Sequence, residues 1–318
     1  MTSIIPNNNQ LLTISIITPS YNQARFLEET ILSVLQQGYP NLEYIIMDGG
    51  STDGSVEIIK KYAHRLTYWE SKTDRGQSHA INKGFKIATG ELVAWLNSDD
   101  LLTPGALQEA AEIYNEDPSL GFIHGISELI DENGNSQYQH FGSEFDLIEN
   151  LITSQNTVAQ QSTFINRQCL ESIGFLDESL HMSMDWDLWL RLGARYSSRF
   201  VPKVWSKTRH WPMTKTKSQL LSSGDEHIRI AKKLIEDKEL KLSKEIERKA
   251  LAAGYGRKAF LEFQEGHRNA FKACLVRSLL YSPKMKGGMA KKLMESDAPV
   301  VYILLEKYRS LRRLFNCS

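Results

Sequence analysis

Short apolar segments and amphipathic segments alternate along the first 124 residues of the chain. Residues 13–18 are mostly β-branched and apolar, which is typical of a buried strand. Residues 26–35 then repeat apolar side chains at helical spacing, and Gly38 and Pro40 end that helix. The same alternation predicts further strands at 42–47, 66–70, 92–96 and 120–124, and further helices at 53–63, 77–88 and 104–115.

This repeated strand–helix order predicts the fold class and the place to look for chemistry. It indicates an α/β fold with a mostly parallel sheet covered by helices on both faces. Such sheets bind ligands beyond the carboxyl ends of their strands. The stretches that directly follow predicted strands are residues 19–22, 48–53, 74–77 and 97–100.

The pattern changes twice along the rest of the chain. Residues 125–220 are less regular, with a hairpin turn predicted at 131–135, strands at 161–166 and 200–204, and a helix at 184–196. From residue 221 the β-branched runs disappear, and Lys, Arg, Glu, Ala and Leu dominate. We predict helices near 224–237, 241–264, 267–281 and 299–315. The sequence thus predicts an α/β domain at 1–220 and an all-α C-terminal region at 221–318.

The two regions differ in net charge. The 318 residues contain 38 Lys+Arg and 38 Asp+Glu, so the net charge is zero, which argues against a general nucleic-acid binder. Residues 1–220 nevertheless carry a net charge of −9, and residues 221–318 carry +9. Opposite signs in the two regions indicate different partners.

The cysteines and the apolar runs bear on location. Cys169, Cys274 and Cys317 show neither metal-ligand spacing nor an even-numbered disulfide framework, which favours a reducing compartment. The first twelve residues lack the charged and apolar regions of a signal peptide, and no run approaches the roughly 18 apolar residues of a membrane span. We therefore predict a cytoplasmic location.

An acid pair follows the predicted strand at 92–96. Asp99 and Asp100 would repel each other unless a cation, hydrogen bonds or protonation compensates. Hard oxygen ligands suit Mg²⁺ or Mn²⁺, particularly when phosphates complete the coordination shell. The alternative is that one of these acids caps the next helix or forms a turn.

Three other strand ends carry candidate residues. Asp48 precedes a glycine-rich turn where nothing local requires an acid, so a ligand contact is favoured, whereas Asp53 is favoured as a helix cap. Tyr21 can stack on a base, with a simple turn as the alternative. Arg75 can contact a phosphate or a base edge, with a plain surface arginine as the alternative.

Two further candidates lie after residue 180. Asp185 opens the predicted helix at 184–196 beside Trp186, and apolar surroundings of this kind can tune a general base. Acids in a first helical turn also suit the helix dipole, so a structural role is the alternative. His210 can ligate a metal or a pyrophosphate, although its spacing alone does not favour either.

Taken in order, these motifs resemble those of the family-2 glycosyltransferases, which are nucleotide-sugar-dependent enzymes of GT-A fold. The resemblance covers about residues 12–215. It rests on four segments: ISIITPSYN at 14–22, IIMDGGSTDGS at 45–55, DRGQSHAINKGFKIATGELVAWLNSDD at 74–100, and MDWDLWLRL at 184–192.

The resemblance implies roles for individual residues. It implies that Asp99 is a metal ligand and Asp185 the catalytic base, and that His210 lies in a loop, continuing to Lys215 and Thr216, that can close over the diphosphate. The implied nucleotide-sugar-binding residues are Thr18, Pro19, Tyr21, Asn22, Asp48, Arg75, Asn97 and Ser98. Two positions depart from the family pattern: Asn97 stands where the family usually has an Asp, and Met184 where it has a Glu.

The resemblance also implies the reaction. A sugar would pass with inversion from a nucleotide-diphosphate sugar, most often a UDP-sugar, to a hydroxyl of a saccharide or lipid-linked acceptor. Mn²⁺ or Mg²⁺ would be the cofactor, and the pathway would be polysaccharide, lipopolysaccharide or glycolipid synthesis.

Two alternative functions stay open. A nucleotidyltransferase would usually carry a glycine-rich basic loop after the first strand, where this chain has Pro-Ser-Tyr-Asn-Gln. A non-catalytic nucleotide-sugar-binding module is disfavoured because Asp48, Asp99 and Asp185 are all present. A dehydrogenase is excluded because no GxGxxG follows the first strand.

The predicted helix at 299–315 is basic and amphipathic, with Glu306 as its single acid. Such a helix can lie on an anionic membrane surface, which would place the protein at the inner face of the membrane. The alternatives are that it packs on the acidic α/β domain or forms a homodimer.

Overall fold

The structure is a computed structural model, and it describes residues 11–211 and 221–282. These residues form two compact units. The first, here called the sheet unit, comprises residues 11–145, 157–178 and 195–211. The second, the helical unit, comprises the described residues 146–156, 179–194 and 221–282. Lys215, Thr216 and the predicted helix at 299–315 lie outside the described residues.

The division into units differs from the boundary predicted near residue 220. Residues 146–156 and 179–194 group with the C-terminal helices rather than with the sheet. The predicted general base, Asp185, therefore belongs to the helical unit. Sequence composition could not show this, because both segments look like ordinary parts of the α/β region until their tertiary contacts are known.

Nine strands form one sheet within the described part of the chain. Their order is β3-β2-β1-β4-β8-β6-β9-β5, and β7 pairs with β6. The bounds are β1 Ile14–Ser20, β2 Leu42–Asp48, β3 Tyr68–Ser71, β4 Leu92–Trp95, β5 Leu101–Leu102, β6 Phe122–Ile130, β7 Ser136–Phe141, β8 Thr163–Asn166 and β9 Ser198–Arg209.

Helices connect the strands of the first half of the sheet, and those strands run parallel. β3, β2, β1 and β4 pair in parallel with their neighbours. Beyond them, β8 lies antiparallel to both β4 and β6, while β6 and β9 are parallel. The predicted α/β fold with a helix-flanked sheet is confirmed. The four strands β3, β2, β1 and β4 are parallel and form one half of the sheet.

Five α-helices lie in the described part of the sheet unit; the first four lie close to the predicted ranges, and the last was not predicted from the sequence. They are α1 Ala24–Leu35, α2 Ser55–Tyr62, α3 Gln77–Ile87, α4 Ala106–Glu116 and α6 Arg167–Ile173. All seven residues of β1 are buried, because helices cover both faces of this central strand. The main core contains Ile14, Ile16, Leu27, Ile31, Val34, Leu107 and Phe164.

The helical unit consists of α5 Leu147–Thr153, α7 Met184–Gly193, α8 Ser222–Ile235, α9 Lys244–Gln264 and α10 Arg268–Tyr281. α8 and α9 approach closely at Gly224, where an added Cβ would lie 2.9 Å from the Cα of Lys258. A small core of Ala259, Phe271, Cys274, Leu275 and Leu279 packs α10 against α9. Among the described residues, no helix has the length and apolarity needed to cross a bilayer.

Candidate active site

The carboxyl ends of β1, β2 and β3 are level with one another. Ser20 is paired with Asp48, and Asp48 with Ser71, at the last positions of the three strands. β4 pairs with β1 up to Trp95, so the segment with Asn97, Ser98 and the acid pair leaves the sheet at the same edge. The four stretches singled out from the sequence therefore share one edge of the sheet unit.

Asn22 ties the first two of these loops together. Its backbone N–H donates to Ser51 Oγ at 2.8 Å, and its Oδ1 accepts from the Thr52 N–H at 2.9 Å. Asn22 has φ of +52°, a left-handed conformation that asparagine tolerates better than most residues. The structure thus gives this predicted binding residue a role in shaping the loop.

Asp53 joins the same two loops to their helices. Its Oδ2 accepts from the N–H of Ala24, the first residue of α1, at 2.9 Å. Its Oδ1 accepts from the Ser55 N–H at 3.1 Å and from Ser55 Oγ at 2.6 Å at the start of α2. The predicted capping role of Asp53 matches these contacts.

Asp48 is buried and has several local partners. Its Oδ2 accepts hydrogen bonds from the Gly50 N–H at 3.1 Å, the Ser51 N–H at 2.9 Å and Ser71 Oγ at 2.6 Å, and its Oδ1 accepts from Ser51 Oγ at 2.5 Å. The expectation that nothing local requires an acid here was wrong, because this carboxylate shapes the glycine-rich turn and joins it to β3. The predicted contact of Asp48 with a base stays a prediction.

The first predicted loop exposes one of its three matched side chains. Thr18 is fully buried, and its hydroxyl lies 3.1 Å from the Tyr44 hydroxyl. Pro19 is also buried, whereas Tyr21 is 64% exposed. Gly49 borders Tyr21: a Cβ there would lie 3.3 Å from its ring and 3.0 Å from an Asp74 carboxylate oxygen. The tyrosine ring therefore offers an accessible surface in this loop.

Arg75 faces an acid within the sheet unit. Its guanidinium forms an exposed ion pair with Glu178 at 2.6 Å. Glu178 also accepts from the side chain of Asn82 at 3.3 Å. A phosphate would have to compete with Glu178 for this arginine.

The amide of Asn97 bridges three neighbours. Its Oδ1 accepts from Gln77 Nε2 at 2.8 Å, and its Nδ2 donates to Asp100 Oδ2 at 3.2 Å and to Gln160 Oε1 at 3.3 Å. An aspartate could not donate the last two bonds. The departure from the family pattern at this position therefore suits its surroundings, and the adjoining Ser98 is buried.

The acid pair forms a turn and does not cap the next helix. The Asp100 N–H donates to the Asn97 carbonyl at 3.1 Å, and Asp100 Oδ1 accepts from the Arg209 N–H at 3.0 Å. Asp99 Oδ2 accepts from Trp211 Nε1 at 3.3 Å. α4 begins after Gly105, and no described side chain caps it.

Burial makes this pair costly to ionise. It raises the pKa of Asp99. Burial and the nearby charge of Asp99 raise the pKa of Asp100 to about 8, against hydrogen bonds from Arg209, Gln161 and Asn97. A divalent cation would favour the ionised carboxylates, so the acid pair fits a metal-binding role.

The described residues do not supply a complete metal cage. No three His, Cys, Asp or Glu side chains within residues 11–211 and 221–282 come together as a metal site. Mg²⁺ is commonly held by one or two carboxylates plus substrate phosphates. Asp99 suits that kind of site. The backbone of His210 is fixed by an N–H bond to the Ile130 carbonyl at 2.8 Å.

Arg209 is a residue that the sequence did not single out. It is 2% exposed, and it donates to the Asp99 carbonyl at 3.0 Å and to Glu29 Oε2 at 2.7 Å. It also bonds the carbonyls of Asp131 and Glu132 in the hairpin turn, at 3.3 and 3.1 Å. Arg209 thus fixes the backbone of the acid segment. In the sequence, its position next to His210 was the one indication of a role near the site.

Asp185, the predicted base, has a defined environment in the helical unit. Its Oδ2 accepts from Asn156 Nδ2 at 2.8 Å. Burial lowers the pKa of Arg257, and the charge of Asp185 opposes that shift, so α9 places a cation within electrostatic reach of the base. Sequence spacing did not indicate Asn156 or Arg257.

Asp187, the other acid in this first turn, is 1% exposed and ion-paired. It meets Arg191 Nε at 2.7 Å and Lys233 Nζ at 3.5 Å. Its neighbour Trp186 donates through Nε1 to the Gln155 carbonyl at 2.8 Å. These contacts give Asp187 a structural role and distinguish it from Asp185.

Interlinked loops beyond the carboxyl ends of adjacent parallel strands, with an acid pair among them, are typical of the ligand-binding edge of an α/β protein. The model of glycosyl transferase family 2 matches residues 15–174, half of the chain, and the chain belongs to this family. The family predicted from the motifs is thereby confirmed.

Individual relatives and solved structures agree with this family assignment. An uncharacterized glycosyltransferase of Rickettsia typhi is 32% identical over 208 residues, which are 62% of this chain and 63% of that protein. The chain thus matches less than two thirds of that relative's length. The crystal structure of S. aureus TarS 1-349 in complex with UDP-GlcNAc has a TM-score of 0.68 at 18% identity, covering 94% of this chain and 92% of that one. A Pyrobaculum calidifontis mannosyltransferase in complex with GDP-Man and Mn²⁺ has a TM-score of 0.57 at 19% identity, covering 96% and 85%. These structures support the predicted GT-A type of fold.

Proposed function

We propose that the chain is an inverting glycosyltransferase that moves a sugar from a nucleotide-diphosphate sugar to a hydroxyl acceptor. The observation that carries this proposal is the acid pair of half-buried Asp99 and buried Asp100, at the sheet edge where four loops are hydrogen-bonded together, in a family-2 chain. The nucleotide sugars named for TarS and for the mannosyltransferase support a donor of this class.

The donor nucleotide would lie against the loops after β1 and β2. The exposed face of Tyr21 offers a stacking surface for the base, and Gly49 leaves room beside it. Asp48 would accept from the base through Oδ1, which has a single hydrogen bond among the described residues, from Ser51 Oγ. UDP is the proposed nucleotide, because the TarS complex contains UDP-GlcNAc.

Asp99 would hold Mn²⁺ or Mg²⁺ together with the donor diphosphate, and His210 would contact the metal or the diphosphate. When bound, such a cation supplies charge neutralisation for the departing nucleoside diphosphate. The chain's own part is to hold the acid segment rigid: Arg209 bonds the Asp99 carbonyl, and Asn97 bonds Asp100. Arg75 would reach the base or a phosphate by exchanging its pairing with Glu178.

Asp185 would act as the general base. It would take the proton of the acceptor hydroxyl, whose oxygen forms a bond to the anomeric carbon while the bond from that carbon to the diphosphate breaks. Asn156 holds one carboxylate oxygen of Asp185, which fixes the direction of the other. Base catalysis of this kind contributes about 10²–10⁴-fold.

The acceptor would be a saccharide or a lipid-linked molecule in polysaccharide, lipopolysaccharide or glycolipid synthesis. The proposed catalytic domain is residues 1–220. The helical region 221–318 would bring the protein to the inner face of a membrane through residues 299–315, or support a homodimer.

Product analysis tests this proposal. The full chain is incubated with UDP-GlcNAc or GDP-mannose, with Mn²⁺ or with EDTA, and the released phosphates are separated. We expect nucleoside diphosphate, released only with the metal. A parallel reaction with UTP or GTP and a sugar 1-phosphate tests the alternative: pyrophosphate released there, with the nucleotide sugars left intact, would indicate a nucleotidyltransferase. Tight binding of both donors in a thermal-shift assay without any release, with saccharide acceptors supplied, would indicate a binding module.

A further inference from the structure

Glu226 connects α8 to the segment that leads into the helix of Asp185. It is 6% exposed, and its carboxylate accepts from three consecutive backbone N–H groups: His181 at 2.7 Å, Met182 at 2.9 Å and Ser183 at 2.8 Å. Hydrogen bonds to an ionised acceptor are among the strongest in proteins. One side chain from α8 therefore fixes the backbone two residues before Asp185.

The helix of Asp185 begins without a local side-chain cap. Ser183 occupies the capping position of α7, and its side chain makes no capping hydrogen bond within the described helix. The carboxylate of Glu226 lies 43 residues away in sequence and binds the Ser183 N–H. A negative charge at this end also complements the helix dipole of α7.

The neighbouring residue of α8 holds the other side of the same turn. The His227 ring stacks on Trp186 at 3.9 Å between centroids, with an angle of 12° between the planes. Its Nδ1 lies 2.6 Å from Ser154 Oγ. Glu226 and His227 thus contact residues on both sides of Asp185 in the sequence.

α8 packs closely against α9, and this contact fixes the position from which Glu226 binds the segment before Asp185. Its backbone approaches α9 at Gly224, where any side chain would clash with Lys258. Lys258 Nζ also pairs with Asp225 at 2.5 Å. The two residues that precede Glu226 are therefore anchored to α9.

From these contacts we infer that Glu226 is a positioning residue for Asp185, so that α8 takes part in placing the proposed base. Glu226 orients the backbone that carries the base and does not touch the substrate. This inference rests on the proposed role of Asp185 as the base.

The test compares Glu226→Gln with a matched control, Glu262→Gln. Glu262 is also a buried acid of the helical unit, but it bonds His267 and not the segment 181–183. With the nucleotide sugar that is turned over in the product assay, we expect Glu226→Gln to lower kcat by about tenfold to a hundredfold, because small misplacements of a catalytic group are costly. The donor KM should change less than about twofold, and Glu262→Gln should keep the kcat of the parent.

Two further measurements separate positioning from general stability. Hydrogen exchange should speed up at the amides of residues 181–183 in Glu226→Gln, while the amides of α9 keep their protection. Glu226→Asp keeps the charge on a shorter side chain and should restore part of kcat. An unchanged kcat in folded Glu226→Gln would overturn the inference, and so would unfolding of both Glu226 variants, which would make this residue a stability element.

The proposed function can fail separately. If Asp185→Asn keeps full turnover, Asp185 is not the base and the proposed mechanism is wrong, whatever Glu226 does. If Asp185→Asn is inactive while Glu226→Gln is fully active, the mechanism stands and the inference about Glu226 alone is wrong.

Discussion

In the sheet unit the candidate residues follow the ends of adjacent strands, whereas in the helical unit Asp185 is surrounded by residues distant in sequence. Asp48 takes its partners from its own turn and from the neighbouring strand. Asp185 depends on Asn156, 29 residues before it, and the segment leading to it depends on Glu226. Strand ends converge because parallel strands share an edge. Helix starts share no common edge, so specific bonds between residues distant in sequence place the start of the helix of Asp185.

The largest expected effect comes from Asp185, compared with Asp187. Asp185→Asn should lower turnover by about 10²–10⁴-fold and leave nucleotide affinity unchanged, because the amide cannot accept the proton. Asp187→Asn should lower stability and keep transfer, because Asp187 is tied to Arg191 and Lys233. Single-turnover kinetics and UDP titration measure both variants. An inactive Asp187→Asn beside an active Asp185→Asn would reverse the assignment.

Each unit has a buried histidine, and the two are expected to affect stability differently. In the sheet unit, neither ring nitrogen of His124 has a hydrogen-bond partner among the described residues, and burial lowers its pKa to about 4. The unfolded chain takes up this proton below about pH 6.5 and the folded chain only near pH 4. The stability from His124 is therefore complete above pH 6.5 and is lost as the pH falls towards 4.

Between pH 7 and pH 5 this loss should be about 2 kcal/mol. Urea unfolding at both pH values checks it, and His124→Phe should remove that part of the pH dependence. His227→Phe in the helical unit should instead cost about 1–3 kcal/mol at pH 7, because Ser154 loses its buried partner. Equal pH dependence in the parent and in His124→Phe would contradict this account.

A substitution at Asp99 tests the proposed metal-binding role of the sheet edge. Asp99→Asn should weaken UDP binding about tenfold in the presence of Mn²⁺ and should change it little in EDTA, because the amide is a poor ligand for a hard cation. Calorimetric titration under both conditions measures the difference. The same metal-dependent affinity in the variant and the parent would remove Asp99 as the ligand.

Tyr21 should give the smallest effect. Tyr21→Ala should weaken UDP binding by roughly 0.5–1.5 kcal/mol, the usual contribution of an aromatic stacking pair. Tyr21→Phe serves as the control, since it keeps the ring and loses the hydroxyl. Fluorescence titration with UDP measures both. If Tyr21→Phe is as weak as Tyr21→Ala, the hydroxyl and not the ring face is the binding group.

The local sequence pattern predicted the C-terminal helices well, because the hydrogen bonds of a helix join residues close together in the chain. Predicted helices at 224–237, 241–264 and 267–281 correspond to Ser222–Ile235, Lys244–Gln264 and Arg268–Tyr281. Predicted strands at 120–124 and 200–204 are longer in the structure, as Phe122–Ile130 and Ser198–Arg209. These two strands pair with each other, and that pairing extends both beyond their apolar cores.

Sequence patterns predicted the alternation of strands and helices, the loops that carry the candidate residues and the family, because apolar periodicity and short motifs depend on residues close together in the chain. How those residues are held became clear only from the three-dimensional fold. It assigned Asp48 to its own turn, Arg209 to the acid segment and Glu226 to the start of the helix of Asp185. The physical reason is that buried hydrogen-bonding groups must find partners wherever the fold brings them, and a sequence pattern does not record contacts between residues 43 or 110 positions apart.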